Sequence, residues 1–407
     1  MLKVLVNAYA ISPDRGSEPG MGWNWCKGLA QECELFIITE SEFRSEIEKG
    51  LPSLPQAANM HFYYLPVSER VREMCRNQGD WRFYYYYALW QRRALKLARK
   101  ICSEQQMDVI HQLNMVGFRE PGLLWKIKGP KYIWGPVSGM SMTPIRFFAD
   151  APAREKMAIR LKNAITWLQR SLSCKVNKAI RRASAVICVT KEDFEIVSRR
   201  AGGGRRVVLI NETATDSTIA RVERDDNHPT RLVWVGKFMQ RKQLGLALKS
   251  MALLKDLPVK LDIVGTGSEE EVLQYHKLAK DLGIEHMVSW HGQIPHEEVG
   301  PMMDRADIFL FTSVHEATST VIMEAITHGL PIICFDSCGF GPLVTEDMGI
   351  KIPLSNPETS IRNFAAAIRR LCCNPSLRKQ ASEACYAKAG DLSWKGKIPK
   401  VLSLYSK

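Results

Sequence analysis

Short runs of β-branched and aromatic residues alternate with helical stretches along the whole chain, the rhythm of parallel strands joined by crossover helices. In the first half the pattern predicts strands at Lys3–Asn7, Leu35–Thr39, His61–Leu65, Val109–Gln112, Tyr132–Trp134 and Ala185–Val189. In the second half it predicts them at Val207–Ile210, Leu232–Val235, Lys260–Val264, Val288–Trp290, Ile308–Phe311, Ile332–Phe335 and Ile350–Ile352. Two open α/β domains in tandem follow, each with a first strand running into a glycine-bearing loop, Asn7 to Gly22 and Gly236 to Gly245. The periodicity breaks between Arg199 and Thr230, where Ala201-Gly-Gly-Gly204 and Asp225-Asp-Asn-His-Pro229 place a hinge. Ligands of open parallel sheets sit beyond the carboxyl ends of the strands, so two such sheets are expected to enclose a substrate in the cleft between them.

A length of 407 residues, 45% apolar and 24% charged, excludes a disordered chain and an integral membrane protein. No apolar run approaches the roughly 18 to 20 residues that span a bilayer. Met1 to Tyr9 lacks a signal-peptide layout and reads as a buried strand, so a cytoplasmic protein is expected. The eleven cysteines form no CxxC pair, which argues against zinc and a disulfide framework and for a reducing compartment.

The net charge of +13 points to an anionic partner. Between Pro144 and Arg182 ten basic residues face only Asp150 and Glu155, with Phe147, Phe148, Met157, Ile159, Leu161, Ile165, Trp167, Leu168 and Leu172 interleaved. That composition suits a helix lying on an anionic bilayer surface. No recognised nucleic-acid reader is present, so nucleic acid is not an expected partner.

The most informative stretch runs from Phe311 to Pro331. It leaves a strand and enters a helix with Thr318 or Ser319 as N-cap, a stop at Gly329 and Pro331, and a buried face of Val321, Ile322, Ala325 and Ile326. The amides of Ala317, Thr318, Ser319 and Thr320 are left without helical partners and suit a diphosphate. Glu316 and Glu324 flank the same mouth, and a carboxylate accepting two hydrogen bonds suits a vicinal diol. In Trp234 to Gly245, Lys237, Arg241 and Lys242 stand at a strand end where a leaving diphosphate needs neutralising, and Gly236 permits close approach. Gly265 adds a tight turn at the next strand end. In the first half the loop with Gly16 and Ser17 opens a helix and faces the cleft from the opposite wall. His111, closing its strand, is a candidate for taking an acceptor proton. Arg119, Glu120 and Ser138 are loop candidates for acceptor contacts.

These residues resemble the glycosyltransferases of family 4, which have the GT-B architecture of two facing Rossmann-like domains. Glu316 to Glu324, with Ala325 and His328-Gly329-Leu-Pro331, matches the family's E-x7-E element. Gly236, Lys237 and Lys242 match its basic element, and Gly16 and Ser17 its first-strand glycine loop. Ser17 to Asn24, Phe118 to Pro121 and Trp134 to Pro136 look like a bacterial branch concerned with surface polysaccharides: exopolysaccharide, capsule or lipopolysaccharide. Lys237 stands where many members have Arg, Ala317 and Ser319 replace frequent glycines, and the N-terminal His of many members falls at Leu113.

The resemblance implies an N-terminal acceptor-binding domain over 1–205, a C-terminal nucleotide-sugar domain over 206–385, and a last helix over 386–407 that packs back on the first domain. It implies transfer of a hexose from a nucleoside diphosphate sugar to a hydroxyl of a glycan or lipid-linked glycan, with retention of configuration and no metal or other cofactor. In that reading Lys237 and Lys242 hold the diphosphate, Glu324 grips the ribose, Glu316 orients the sugar, and Gln293 and Ile294 face the nucleobase. The enzyme would work as a peripheral protein at the inner face of the cell membrane. The alternatives are a nucleotide-sugar epimerase or an inactive sugar-nucleotide-binding protein of the same architecture.

Overall fold

Thirteen strands form among the described residues of the computed structural model, which are 1–77, 80–202, 206–215, 221–225 and 228–406. The first sheet contains β1 (Leu2–Ala8), β2 (Cys33–Thr39), β3 (Met60–Tyr64), β4 (Val109–Asn114), β5 (Lys131–Val137), β6 (Ala185–Cys188) and β7 (Arg206–Leu209). The second contains β8 (Thr230–Val235), β9 (Val259–Val264), β10 (Val288–Gly292), β11 (Ile308–Phe311), β12 (Ile332–Phe335) and β13 (Gly349–Ile352). Their orders are β3-β2-β1-β4-β5-β6-β7 and β10-β9-β8-β11-β12-β13, and every pairing within them is parallel. Helices cover both faces of such sheets, which is why β11 and β12 are apolar at every position and wholly buried.

The expected strand at Val207–Ile210 forms, but not where the sequence reading put it. It pairs with β6 through Ala185↔Arg206 and Cys188↔Leu209 and closes the edge of the first sheet, so that sheet extends past residue 205. Local composition makes a strand; only pairing decides its sheet. Of the expected hinge between Arg199 and Thr230, residues 203–205, 216–220, 226 and 227 lie outside the described residues.

Each sheet has its own core, and two segments cross between them. Phe147, Phe148 and Ala151, encoded before β6, are buried in the second core, with the Phe147 ring edge-on to Phe335 at 5.6 Å. In the other direction the helix Trp394–Ser406 buries Ile398, Val401, Leu404 and Tyr405 in the first core. Each fully buried aliphatic side chain of this kind contributes about 1.5–3 kcal/mol, so the crossings hold the lobes together with more than surface contacts. Both sheets reverse strand order beside their first strand, between β1 and β4 and between β8 and β11, and a ligand crevice opens at such a point.

Candidate functional site

The loops leaving β8 and β11, the two strands flanking that reversal, are sewn together. Val314 N–H donates to the Arg241 carbonyl at 2.9 Å, the Thr312 hydroxyl donates to the Lys242 carbonyl at 2.7 Å, and Trp234 Nε1 donates to Thr312 Oγ1 at 3.0 Å. Gln243 turns the chain in the left-handed region, at φ 54°, before the helix Leu244–Met251. Gly236 stands against the Lys242 stem: a Cβ there would lie 3.6 Å from Lys242 Cδ.

This framework delivers Arg241 and Lys242 to one carboxylate. Arg241 Nη1 and Lys242 Nζ each lie 2.5 Å from Glu316 Oε1, and the Ser313 hydroxyl adds a contact at 2.8 Å. The Glu316 and Lys242 side chains are only 10% and 12% exposed, so this is a nearly dry ion cluster. Burial alone would raise the Glu316 carboxyl; Lys242 and Arg241 outweigh it and hold it below the usual range. Burial lowers Lys242, with Glu316 pulling the other way. Two cations, Arg241 and Lys242, face this one carboxylate, leaving the cluster a surplus of positive charge, while Lys237 stands exposed on the same loop.

The helix Thr320–Thr327 begins immediately beyond. Ser319 is its N-cap in extended backbone and makes no side-chain cap, so the first-turn amides have no capping side chain at the positive end of the helix dipole. Its buried face is Ile322, Met323, Ala325 and Ile326, with Thr327; Val321, expected there, is half-buried. Gly329 follows at φ 65°, its α-carbon against the Tyr386 ring where a Cβ would lie 2.2 Å from Cζ, so this stop requires glycine. Glu324 is half-buried, burial raises its carboxyl, and His296 and His328 pull the other way. It forms no Lys or Arg ion pair among the described residues. Lys242 and Glu316 thus meet in one cluster just ahead of the helix that carries Glu324.

Other expected residues go elsewhere. His111 lies in the middle of the first sheet, fully buried, with Nδ1 2.6 Å from the Tyr405 hydroxyl and Nε2 2.7 Å from the Gly135 carbonyl. Burial pushes its imidazole down to about 4, against the Gly135 carbonyl, and both nitrogens are occupied, so it cannot meet an acceptor. Its role is to seat the C-terminal helix. Arg119 reaches Thr166 Oγ1 at 2.8 Å and also the Gln169 amide oxygen, and Glu120 pairs with Lys175 at 2.6 Å, so both are engaged by neighbouring helices. Ser138 is buried, with its N–H on the Val116 carbonyl at 2.9 Å. Gly265, at φ 134°, is a packing glycine: a Cβ would lie 1.9 Å from the Gly236 carbonyl oxygen. It keeps the Gly236 turn in place without offering a donor contact. Gly16 and Ser17 are exposed at the start of helix Ser17–Leu29, and Ser17 adjoins a cavity of about 380 Å³.

The sequence reading missed two acids at the junction of the lobes. That cavity lies beyond the ends of β1 and β2 and is lined by Tyr9, Arg15, Glu18, Phe43, Phe83 and Tyr84, among others. Glu18 accepts from the Val116 N–H at 2.6 Å; burial raises its carboxyl, the Val116 amide opposes that, and Glu212 adds repulsion. Glu212, on the segment linking the lobes, accepts from the Thr318 N–H at 3.0 Å. Its neighbour Asn211 donates through Nδ2 to Thr318 Oγ1 at 2.9 Å and to the Gly339 carbonyl at 3.0 Å. Lys397 Nζ donates to the Asn211 carbonyl at 2.7 Å and to the Thr213 carbonyl, and burial pushes this ammonium down to about 7. Glu18 was visible only as part of a glycine loop, and Glu212 stands in a segment without any motif.

Two Rossmann-like lobes with a cation-lined crevice between them define the GT-B class of fold, and known structures agree. The chain is similar to the lipopolysaccharide outer core galactosyltransferase WaaB in its apo form, with TM-score 0.65 and 14% identity over 99% of both chains. It is likewise similar to Anabaena Alr3699/HepE in complex with UDP, with TM-score 0.61 and 13% identity over 100% of both chains. At such identities the likeness is one of fold.

The sequence adds a family match in the second lobe: residues 216–388 match Glycosyl transferases group 1. Among curated proteins, the lipopolysaccharide core biosynthesis glycosyltransferase LpsE of Rhizobium meliloti (strain 1021) is 28% identical over 207 residues, 50% of this chain and 58% of that protein. The amylovoran biosynthesis glycosyltransferase AmsK of Erwinia amylovora is 29% identical over 157 residues, 36% of this chain and 37% of that protein. The chain spans about half the length of the curated relatives it matches.

Proposed function

We propose that this protein is a retaining glycosyltransferase of family 4 that moves a hexose from a nucleoside diphosphate sugar to a hydroxyl of a glycan or lipid-linked glycan in bacterial surface-polysaccharide synthesis. The observation that carries this reading is the Lys242–Glu316–Arg241 cluster, with Lys242 and Glu316 nearly buried, just ahead of the helix bearing Glu324. Lys242, Arg241 and Lys237 neutralise the diphosphate as it departs, together with the first-turn amides. Stabilisation of developing charge in a water-poor cleft is usually the largest catalytic contribution. These cations serve in place of a metal. Glu316 releases part of its hold on Lys242 and orients the sugar, Glu324 accepts from the ribose diol, and the Gln293–Ile294 turn meets the base. HepE, a similar fold solved in complex with UDP, supports starting with uridine donors.

The same proposal places the enzyme at an anionic membrane surface, in the cytoplasm. Of the twenty residues of helix Ala153–Leu172, only Thr166 is buried. Met157, Leu161, Ile165, Leu168 and Leu172 recur every three or four residues, share one face, and are all exposed, Leu172 to 68%. Arg154, Lys156, Arg160 and Lys162 stand around that stripe. The apolar side of this helix is its outer side, the arrangement of an interfacial helix. Among the described residues no helix is long and apolar enough to cross a membrane.

Incubation with UDP-, GDP- and TDP-hexoses and a surface-glycan acceptor tests the activity. Expected are release of the nucleoside diphosphate, a product with the donor's anomeric configuration by NMR, and a rate unchanged by chelator. Inverted product would overturn the retaining mechanism, and loss of turnover on chelation would overturn metal independence.

A further inference from the structure

A charged oxygen without a donor is out of place in a protein interior, where buried polar groups are almost always paired. Glu212 carries one. Its Oε1 takes the Thr318 N–H at 3.0 Å, and its Oε2 is buried with no hydrogen-bond partner. The carboxylate is held there deliberately. The Glu212 carbonyl accepts from Trp25 Nε1 at 2.7 Å, and Asn211 and Lys397 fix the backbone on its N-terminal side. The groups around it are the Thr318 amide from the second lobe, the Glu18 carboxyl from the first, and the Lys397 ammonium from the C-terminal helix, whose own hydrogens go to the Asn211 and Thr213 carbonyls. Glu212 thus meets the 317–320 loop and lies close enough to Glu18, which borders the 380 Å³ cavity, for the two carboxyls to repel.

We propose that Glu212 is a specificity-determining residue for the transferred sugar: its unpartnered oxygen accepts a hydrogen bond from a sugar hydroxyl, and with Glu18 it excludes sugars that carry a carboxylate. This rests on the donor-site reading above. A hydroxyl suits the position because it can donate to Oε2 while Oε1 keeps the Thr318 N–H. A hexuronate brings a further negative charge to the partly buried Glu212 and Glu18 carboxyls, and like charges in a site poor in water repel.

The test is calorimetric titration of the full chain, as wild type, Glu212→Gln and Glu212→Ala, with UDP, UDP-glucose, UDP-galactose, UDP-N-acetylglucosamine and UDP-glucuronate. The wild type is expected to bind its preferred neutral sugar nucleotide at least about fivefold more tightly than UDP-glucuronate. Glu212→Gln keeps the shape and an acceptor for Thr318 but removes the charge, and should tighten UDP-glucuronate several-fold. Glu212→Ala should weaken the neutral sugar nucleotide about three- to tenfold while UDP itself changes less than about twofold. If UDP and every UDP-sugar behave alike in all three proteins, or the wild type prefers UDP-glucuronate, the inference fails while the donor site stands. If the wild type binds neither these nor GDP or TDP, the donor-site reading itself fails. A loss of UDP affinity in Glu212→Ala as large as that of the sugar nucleotide would show a loop-shaping role only and also overturn the inference.

Discussion

Replacing Lys242 by Met removes one of the two cations on Glu316 and asks whether this cluster is a diphosphate site or only a structural ion pair. Two unit charges about 4 Å apart interact by about 4 kcal/mol at the effective dielectric of a partly buried site. In the free protein the ammonium already satisfies Glu316 at 2.5 Å, so a diphosphate gains only the difference between the two partners. We set that at about 1.5–2.5 kcal/mol, a loss of affinity of about 10- to 70-fold. The fold should survive, because Arg241 keeps its contact with the same Glu316 oxygen at 2.5 Å. Calorimetric titration of UDP into wild type, Lys242→Met and Lys242→Arg measures this directly, with a thermal melt of each apo protein as control. Lys242→Arg retains the charge and should recover part of the affinity. An affinity for UDP in Lys242→Met within about twofold of wild type, in a protein that melts normally, would refute the assignment.

Glu324→Gln should weaken UDP about three- to tenfold while leaving inorganic pyrophosphate unaffected, since only the ribose diol meets this side chain; equal losses for both ligands would sink that role. Folded His111 titrates at about 4 against about 6.5 in the unfolded chain, so between these values only the unfolded chain takes up the proton and stability falls as pH drops. Denaturant titrations of His111→Phe should therefore show a shallower acid slope, with the pH profile of turnover unchanged. Lys397, at about 7 when folded and about 10.4 when unfolded, makes stability rise with pH from about 7 until the cysteines begin to ionise near 8.5, and Lys397→Met should flatten that rise. Leu161→Glu combined with Leu168→Glu should abolish flotation with anionic vesicles without lowering the melting temperature; equal recovery of the wild type on neutral vesicles would reject the membrane face.

Much of this protein was legible as one-dimensional pattern. Period-two and continuous apolar runs located every strand to within a few residues, because burial on both faces of a parallel sheet leaves little choice of residue. The turn chemistry around Gly329 and the cation-rich exit of β8 were legible for the same reason: helix stops and strand ends use few residue types. Lys242, Glu316 and Glu324 could be proposed as partners because the strand-to-helix unit that carries the two acids is local.

What the sequence could not decide were matters of long-range placement. Which sheet takes β7, that Phe147 and Phe148 fill the second core, and that the inward-looking His111 ends against Tyr405 across 294 residues follow from packing, not spacing. The acceptor-side candidates Arg119 and Glu120 became helix clamps, and Glu212, in a linker with no periodicity, became the acid that meets the Thr318 amide. Sequence determines which segments must be strand, helix or turn, since those preferences are set by neighbours a few residues away. Tertiary structure alone determines which polar groups share a desolvated space, and on that depends whether a carboxylate or an imidazole is a tool of chemistry or a peg in the scaffold.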